Sequence, residues 1–258
     1  MTAGRKGHRI VDIDPTRRAQ LDAGTIEAAT LTECLSVDFA ALLPRAVPAI
    51  GEQAVATMRH AAGEGVTRRM ALAARLVLDH GGMAVIDGLR DHPSDTVRGW
   101  ACFMVGALED LTLADRLHLI RPLADDPHFG VREWSWLAIR SHIAAKLDDA
   151  IDLLERWASE PSEYLRRFAS EATRPRGVWC SHIRALRQAP ERALPILEPL
   201  RSDPAAYVQD SVGNWLNDAG KDQPDWVRSL CARWMAESTT VATGRICKRG
   251  LRSIDRPH

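Results

Sequence analysis

Three stretches of the 258-residue chain place charged, amide and aromatic side chains one helical turn apart. Trp136 and Arg140 are four residues apart, with Arg132 and Glu133 one turn earlier. Arg167, Glu171 and Arg174 fall at i, i+4 and i+7, and Asn214, Asn217, Asp218 and Lys221 at i, i+3, i+4 and i+7. Such spacings put each set on one helix face. A carboxylate there can orient or deprotonate a water and stabilise a developing cation. A tryptophan attracts cationic groups to its ring face, and arginines hold phosphates in register. Each stripe alone also reads as a solvated helix face, and an Arg/Glu pair one turn apart as a surface ion pair of little energetic weight. Three stripes in register suggest a shared groove, and both readings stand at this point.

The elements that must position these residues follow from a repeat. HPSDTVRGWA from His92, DPHFGVREWS from Asp126, EPSEYLRRFA from Glu160 and DPAAYVQDSV from Asp203 share a Pro-x-x-x-[Val/Leu]-Arg pattern, with Gln209 in place of the arginine in the last. Their prolines, Pro93, Pro127, Pro161 and Pro204, are spaced 34, 34 and 43 residues apart. Weaker copies surround Val66 and Pro224. Proline presets φ and lacks an N–H, so it is expected in a helix's first turn, with the neighbouring Asp or Ser as cap. About 34 residues accommodate two helices and two turns. Tracts such as AIDLLERWA are amphipathic at helical period, and no comparable run alternates with period 2. The expected fold is all-α, a HEAT-like solenoid of antiparallel helix pairs with a concave face. Residues 1–14 are expected to be disordered, 15–254 to form a single repeat domain, and 255–258 to be loose.

Composition narrows the partners. Thirty-four Lys and Arg balance 34 Asp and Glu, so any nucleic-acid face must come from local clustering. Two clusters exist: seven arginines between Glu163 and Arg192 against three acids, and Arg245, Lys248, Arg249, Arg252 and Arg256 against Asp255. They read equally as phosphate-tracking surfaces or as the counterpart of acidic surface elsewhere. Five scattered cysteines without a C-x-x-C pair imply neither zinc site nor disulfide framework and suit a reducing cytoplasm. The N-terminus lacks the apolar core of a signal peptide, and no run approaches the length of a membrane helix.

Two segments carry a family resemblance. RRFASEATRPRGVWCSHIRAL from Arg166 and PILEPLRSDPAAYVQDSVGNWLNDAGKDQPD from Pro195 resemble the AlkC branch of the AlkC/AlkD HEAT-like DNA glycosylases, as does GTIEAATLTECLSVDFAALL near the N-terminus. The resemblance implies excision of cationic, N-alkylated bases from duplex DNA by hydrolysis of the N-glycosidic bond. It implies no metal or organic cofactor, and double-stranded DNA as partner of a cytoplasmic, nucleoid-associated monomer. Glu171 in S-E-A-T-R-P-R and Asp218 in N-D-x-x-K-D match the family's acidic positions and would be catalytic. Trp136, Trp179, Arg140, Arg167, Arg174, Asn214, Asn217 and Lys221 would contact lesion or DNA. One departure matters: a further carboxylate of the branch falls where Trp136 stands in Trp134-Ser135-Trp136-Leu137-Ala138-Ile139-Arg140. Trp136 then reads as a lesion or DNA contact, as the mark of a relative that binds damaged or branched DNA without cutting it, or as a core residue.

Overall fold

A computed structural model describes residues 9–177 and 180–254. Trp179 and the segments 1–8 and 255–258, for which expectations were formed above, lie outside the described residues. Ile10–Asp12 form one 3-10 turn. The chain then runs through α1 (Pro15–Ala23), α2 (Leu31–Ser36), α3 (Phe39–Ala46), α4 (Glu52–His60), α5 (Val66–Gly81), α6 (Ile86–Arg90) and α7 (Asp95–Ala107). There follow α8 (Leu113–Ala124), α9 (Phe129–Ala145), α10 (Leu147–Trp157), α11 (Glu163–Ala172) and α12 (Arg184–Gln188). The chain continues with α13 (Leu194–Leu200), α14 (Ala206–Ala219), α15 (Pro224–Glu237) and α16 (Val241–Leu251). Among the described residues there is no strand, and the fold is an all-α HEAT-like repeat. None of these helices is long and apolar enough to cross a membrane. Two compact units form: the chain up to Leu111 with Asp126–Ala138, and Thr112–Asp125 with the chain from Ile139 onward.

In the first unit the core gathers around α7, whose residues from Asp95 to Val105 are all buried. Gly99 permits the close approach: a Cβ there would lie 2.3 Å from Met70 Cε on α5 and 2.8 Å from Trp134 Cδ1 on α9. In the second unit, α10 buries Leu147, Ala150, Ile151, Leu154 and Trp157, a stripe at helical period. Trp157 meets Phe168 of α11 at 4.9 Å between ring centroids. Trp100, Trp134 and Trp157 are core residues.

The repeat signature acts differently from its sequence expectation. The prolines of all four copies stand two residues before the first helical residue, ahead of the cap instead of in the first turn. Pro15 and Pro224, outside the strict signature, do open their helices. What the signature holds together is its own turn. Arg98 Nη1 donates to the carbonyls of His92 and Pro93. Arg132 Nη1 does the same at Asp126 and Pro127, and Arg166 Nη1 at Glu160 and Pro161. Gln209 Nε2 takes over at Asp203 (2.8 Å) and Pro204 (3.4 Å). The residue before proline completes the turn: Asp126 and Asp203 each accept the N–H two residues on, through Oδ1 at 2.7 and 2.8 Å. Two arginines also reach the acid of the next copy, Arg98 to Asp126 and Arg166 to Asp203.

Glutamine at 209 makes this assignment testable. Arg166→Gln should keep the two carbonyl bonds and lose only the Asp203 pair, costing about 1.5–3 kcal/mol. Arg166→Ala should cost more, because the carbonyls lose their donor as well. Urea unfolding of the two variants checks the order; equal losses would mean the carbonyl bonds contribute nothing.

Candidate active site

The three polar stripes have separate fates. Glu171 near the end of α11 and Asp218 near the end of α14 are each only 4% exposed. A single guanidinium joins them. Arg174 Nη1 donates to Glu171 Oε1 at 2.7 Å, while Nε and Nη2 donate to Asp218 Oδ2 at 2.9 and 2.7 Å. Glu171 Oε2 accepts the Ser211 hydroxyl at 2.6 Å and faces Arg167 Nη2 at 3.6 Å. Asp218 Oδ1 accepts from Lys221 Nζ at 3.1 Å. Two carboxylates are thus surrounded by three cations within one unit.

Local sequence explains the placement. Arg174 is two residues past the last residue of α11. Thr173 folds its hydroxyl back to the carbonyls of Ala169 and Ser170 and ends the helix. Arg140 binds the carbonyls of Ala172, Arg174 and Ser181, so it neutralises the negative end of α11 and pins the turn that carries Arg174. Gly177 lets this turn come close, since a Cβ would lie 2.3 Å from Cys180 Sγ and 3.3 Å from Arg140 Cζ. Arg140, a candidate DNA contact by sequence, is buried and donates to these three carbonyls.

Burial by itself would raise the Glu171 pKa. The Arg167 and Arg174 charges and the Ser211 hydroxyl overcome it and hold the carboxyl below its ordinary 4.5. For Arg174, burial works against the charge, and Glu171 and Asp218 more than restore it. A depressed carboxyl pKa contributes stability that is complete above the ordinary glutamate range and is lost as pH falls through the folded-state value. Glu171→Gln is therefore expected to flatten part of the acid limb of a stability-versus-pH curve measured by urea unfolding. An unchanged acid limb would remove Glu171 from the network's charge balance.

Asn217 and Asn214 serve the α14–α16 contact. Asn217 Nδ2 donates to Gly250 O, and Asn214 Oδ1 accepts from Arg249 and Arg252. Trp136 belongs to the first unit, is 3% exposed, and donates through Nε1 to Glu133 Oε2 at 3.0 Å. Sequence reasoning missed Ser211, although it lies seven residues before Asp218 on the same face of α14. It also missed Tyr207, whose ring lies 4.3 Å under the Arg167 guanidinium. Asp222 was a further omission. Arg187 and then Arg176 each engage both of its oxygens, and those hydrogen bonds hold its carboxyl well below the usual range. This clamp fastens α12 and the Arg174-Pro175-Arg176 turn to the end of α14.

Comparison with known proteins agrees with this architecture. Residues 131–242 match the family model for DNA alkylation repair enzymes, and 83–174 match HEAT repeats. Over 120 residues the chain is 37% identical to the uncharacterized protein YhaZ of Bacillus subtilis (strain 168), covering 46% of this chain and 33% of YhaZ. The chain therefore spans about a third of that relative. Among solved structures, the Pseudomonas fluorescens alkylpurine DNA glycosylase AlkC, bound to DNA containing an abasic site analog, superposes with a TM-score of 0.68 at 21% identity. That match covers 96% of this chain and 65% of AlkC. AlkD2 from Streptococcus mutans gives 0.62 at 21% identity, over 81% of this chain and all of AlkD2. Residues 131–242 are thus similar to DNA alkylation repair enzymes, and the helical-repeat fold is the one seen in AlkC and AlkD2.

Proposed function

We propose that the protein is a monofunctional DNA glycosylase that excises cationic, N-alkylated bases from duplex DNA, acting as a monomer. The observation that carries this reading is the Glu171–Arg174–Asp218 cluster, a buried pair of carboxylates bridged by one guanidinium inside the segment that matches the DNA alkylation repair family.

A base alkylated on a ring nitrogen is already positively charged and leaves as a neutral species, so it needs little acid assistance. As the C1′–N bond breaks, the electron pair stays with the base and positive charge develops on the sugar. A carboxylate stabilises that cation. Water then bonds C1′ through its oxygen, and its proton passes through the carboxylate to solvent. The products are the free base, an abasic deoxyribose and a proton.

We divide the labour between the two acids by what surrounds each. Asp218 Oδ1 is held by Lys221, whose side chain is 44% exposed and free to turn toward a phosphate. We assign this oxygen to the sugar cation and the attacking water. Both oxygens of Glu171 are enclosed by Arg174, Arg167 and Ser211, so Glu171 positions Arg174 against Asp218. Arg167 and Lys221 flank the cluster as backbone contacts.

A second reading, damaged- or branched-DNA binding without cleavage, draws on the same burial: each carboxylate is matched by cations, and Trp136 stands where the branch carries a further acid. Release of free base from methylated duplex DNA, measured alongside duplex binding, separates the two. Release supports the glycosylase; tight, salt-dependent binding without release supports the binder. Failure to bind DNA at all would point instead to a protein-interaction scaffold.

A further inference from the structure

A second cationic site lies in the first unit, far along the sequence from the carboxylate cluster. A cavity of about 500 Å³ opens among α1, α3, α4 and α5. Arg18, Arg59 and Arg69 line it, with Phe39 and Met58 as apolar floor. Among the described residues none of these three arginines has an ion-pair partner within 4 Å. The contrast is with Arg17, next to Arg18 in sequence, which is bidentate on Glu33 at 2.7 Å.

Arg69 is the most revealing of the three. Its guanidinium stacks over the Phe39 ring at 4.7 Å. Its terminal nitrogens reach only backbone, Val37 O at 3.3 Å and Leu35 O at 3.4 Å, both long for a charged donor. Its Nε is buried with no hydrogen-bond partner. An unsatisfied buried donor on a charged group costs free energy unless something supplies the acceptor. Burial also presses the Arg69 pKa down, with only Asp38 opposing it. Asp38 is the one carboxylate on the cavity wall, and its Oδ1 is committed to the amides of Ala40 and Ala41 at the start of α3. The wall therefore carries three positive charges against one, in a concavity open to solvent through the exposed Arg18 and Arg59.

We propose that this cavity binds a phosphate group, with the Arg69 guanidinium at its base and Arg18 and Arg59 at its rim. Guanidinium forks match the tetrahedral array of phosphate oxygens, and three of them with one acid favour an anion that carries more than one acceptor and up to two charges. The phosphate comes from either of two sources, a DNA backbone or a free phosphorylated small molecule. The site rests on its own geometry and not on the glycosylase reading.

The test uses the full chain and two probes. Inorganic phosphate is titrated calorimetrically at constant ionic strength. Undamaged duplex DNA is titrated across a salt series, so that loss of base release has no bearing on the outcome. The variants are Arg69→Gln and the rim double variant R18Q/R59Q, whose exposed positions leave folding intact if Arg69→Gln does not. Phosphate binding to wild type that weakens tenfold or more in the rim variant supports the site. A fall of about 1 in the slope of log affinity against log salt in that variant, the share of one phosphate, also supports it and names the DNA backbone as source. Phosphate binding that depends on the rim, with an unchanged DNA slope, supports it with a free phosphorylated ligand. No phosphate binding, together with a DNA slope the same in wild type and rim variant, overturns it.

Discussion

Asp218→Asn is expected to lower base release from methylated duplex DNA by about two orders of magnitude while leaving duplex affinity nearly unchanged. The substitution is isosteric but leaves one acceptor oxygen where the carboxylate offered two, so either Lys221 or Arg174 loses its bond, and it removes the negative charge that the sugar cation needs. The loss should appear in single-turnover rate, because the interaction exists only in the transition state. Glu171→Gln should cost about tenfold, since Glu171 acts by holding Arg174 and the remaining hydrogen bonds to Ser211 and Arg174 partly survive. The order of the two effects is the informative part. A larger loss at Glu171 than at Asp218 would reverse the assignment of the substrate-facing oxygen.

The largest effect on stability is expected at Arg174. Arg174→Met removes the one cation shared by both buried carboxylates, leaving Glu171 with Arg167 at 3.6 Å and Asp218 with Lys221 at 3.1 Å. Breaking a buried pair from one side costs about 3–5 kcal/mol, because the charge left behind cannot regain its solvation. For a chain of this size that corresponds to a melting temperature lower by roughly 10 °C. The triple variant E171Q/R174M/D218N should recover much of the loss, because it removes the charges together. If Arg174→Met melts like wild type, the guanidinium does not bind the two helices and the cluster is a surface arrangement. If the triple variant is no better than the single, the destabilisation comes from lost packing and not from stranded charge.

The sequence made the helix order legible and left the partnerships hidden, for a physical reason. Periodicity reports which face of a helix a residue occupies, and the Glu171 and Asp218 faces followed from spacing alone. It carries no information about which side chain on a neighbouring helix completes an ion pair. Arg174 and Asp218 are 44 residues apart, and Arg176 and Asp222 are 46 apart. The proline signature was read from local backbone preference, as a helix opener. Its location ahead of the cap follows from a demand that φ alone does not express: the arginine five residues on needs the proline carbonyl and the one before it. Arg140 shows the same limit. Its spacing from Trp136 suggested a nucleic-acid contact and gave no sign of the carbonyls at the end of α11 to which it donates. Asn214 and Asn217 likewise meet α16 and the residue after it: Arg249 of α16 and Arg252 just past its end donate to Asn214, and Asn217 donates to Gly250.

Trp136 illustrates a different point. The resemblance put a carboxylate where this chain carries Trp136. The indole N–H is satisfied by Glu133, one turn earlier on the same helix, so an acid remains in that stripe three residues from the expected place.

Glycosylase activity at Asp218 is decided by incubating wild-type protein and Asp218→Asn with duplex DNA methylated on ring nitrogens and identifying the released bases by mass spectrometry. Release of N-methylated bases by the wild type is expected, with none of unmethylated bases and almost none of either by Asp218→Asn. Duplex binding by the wild type without release of any methylated base would contradict it.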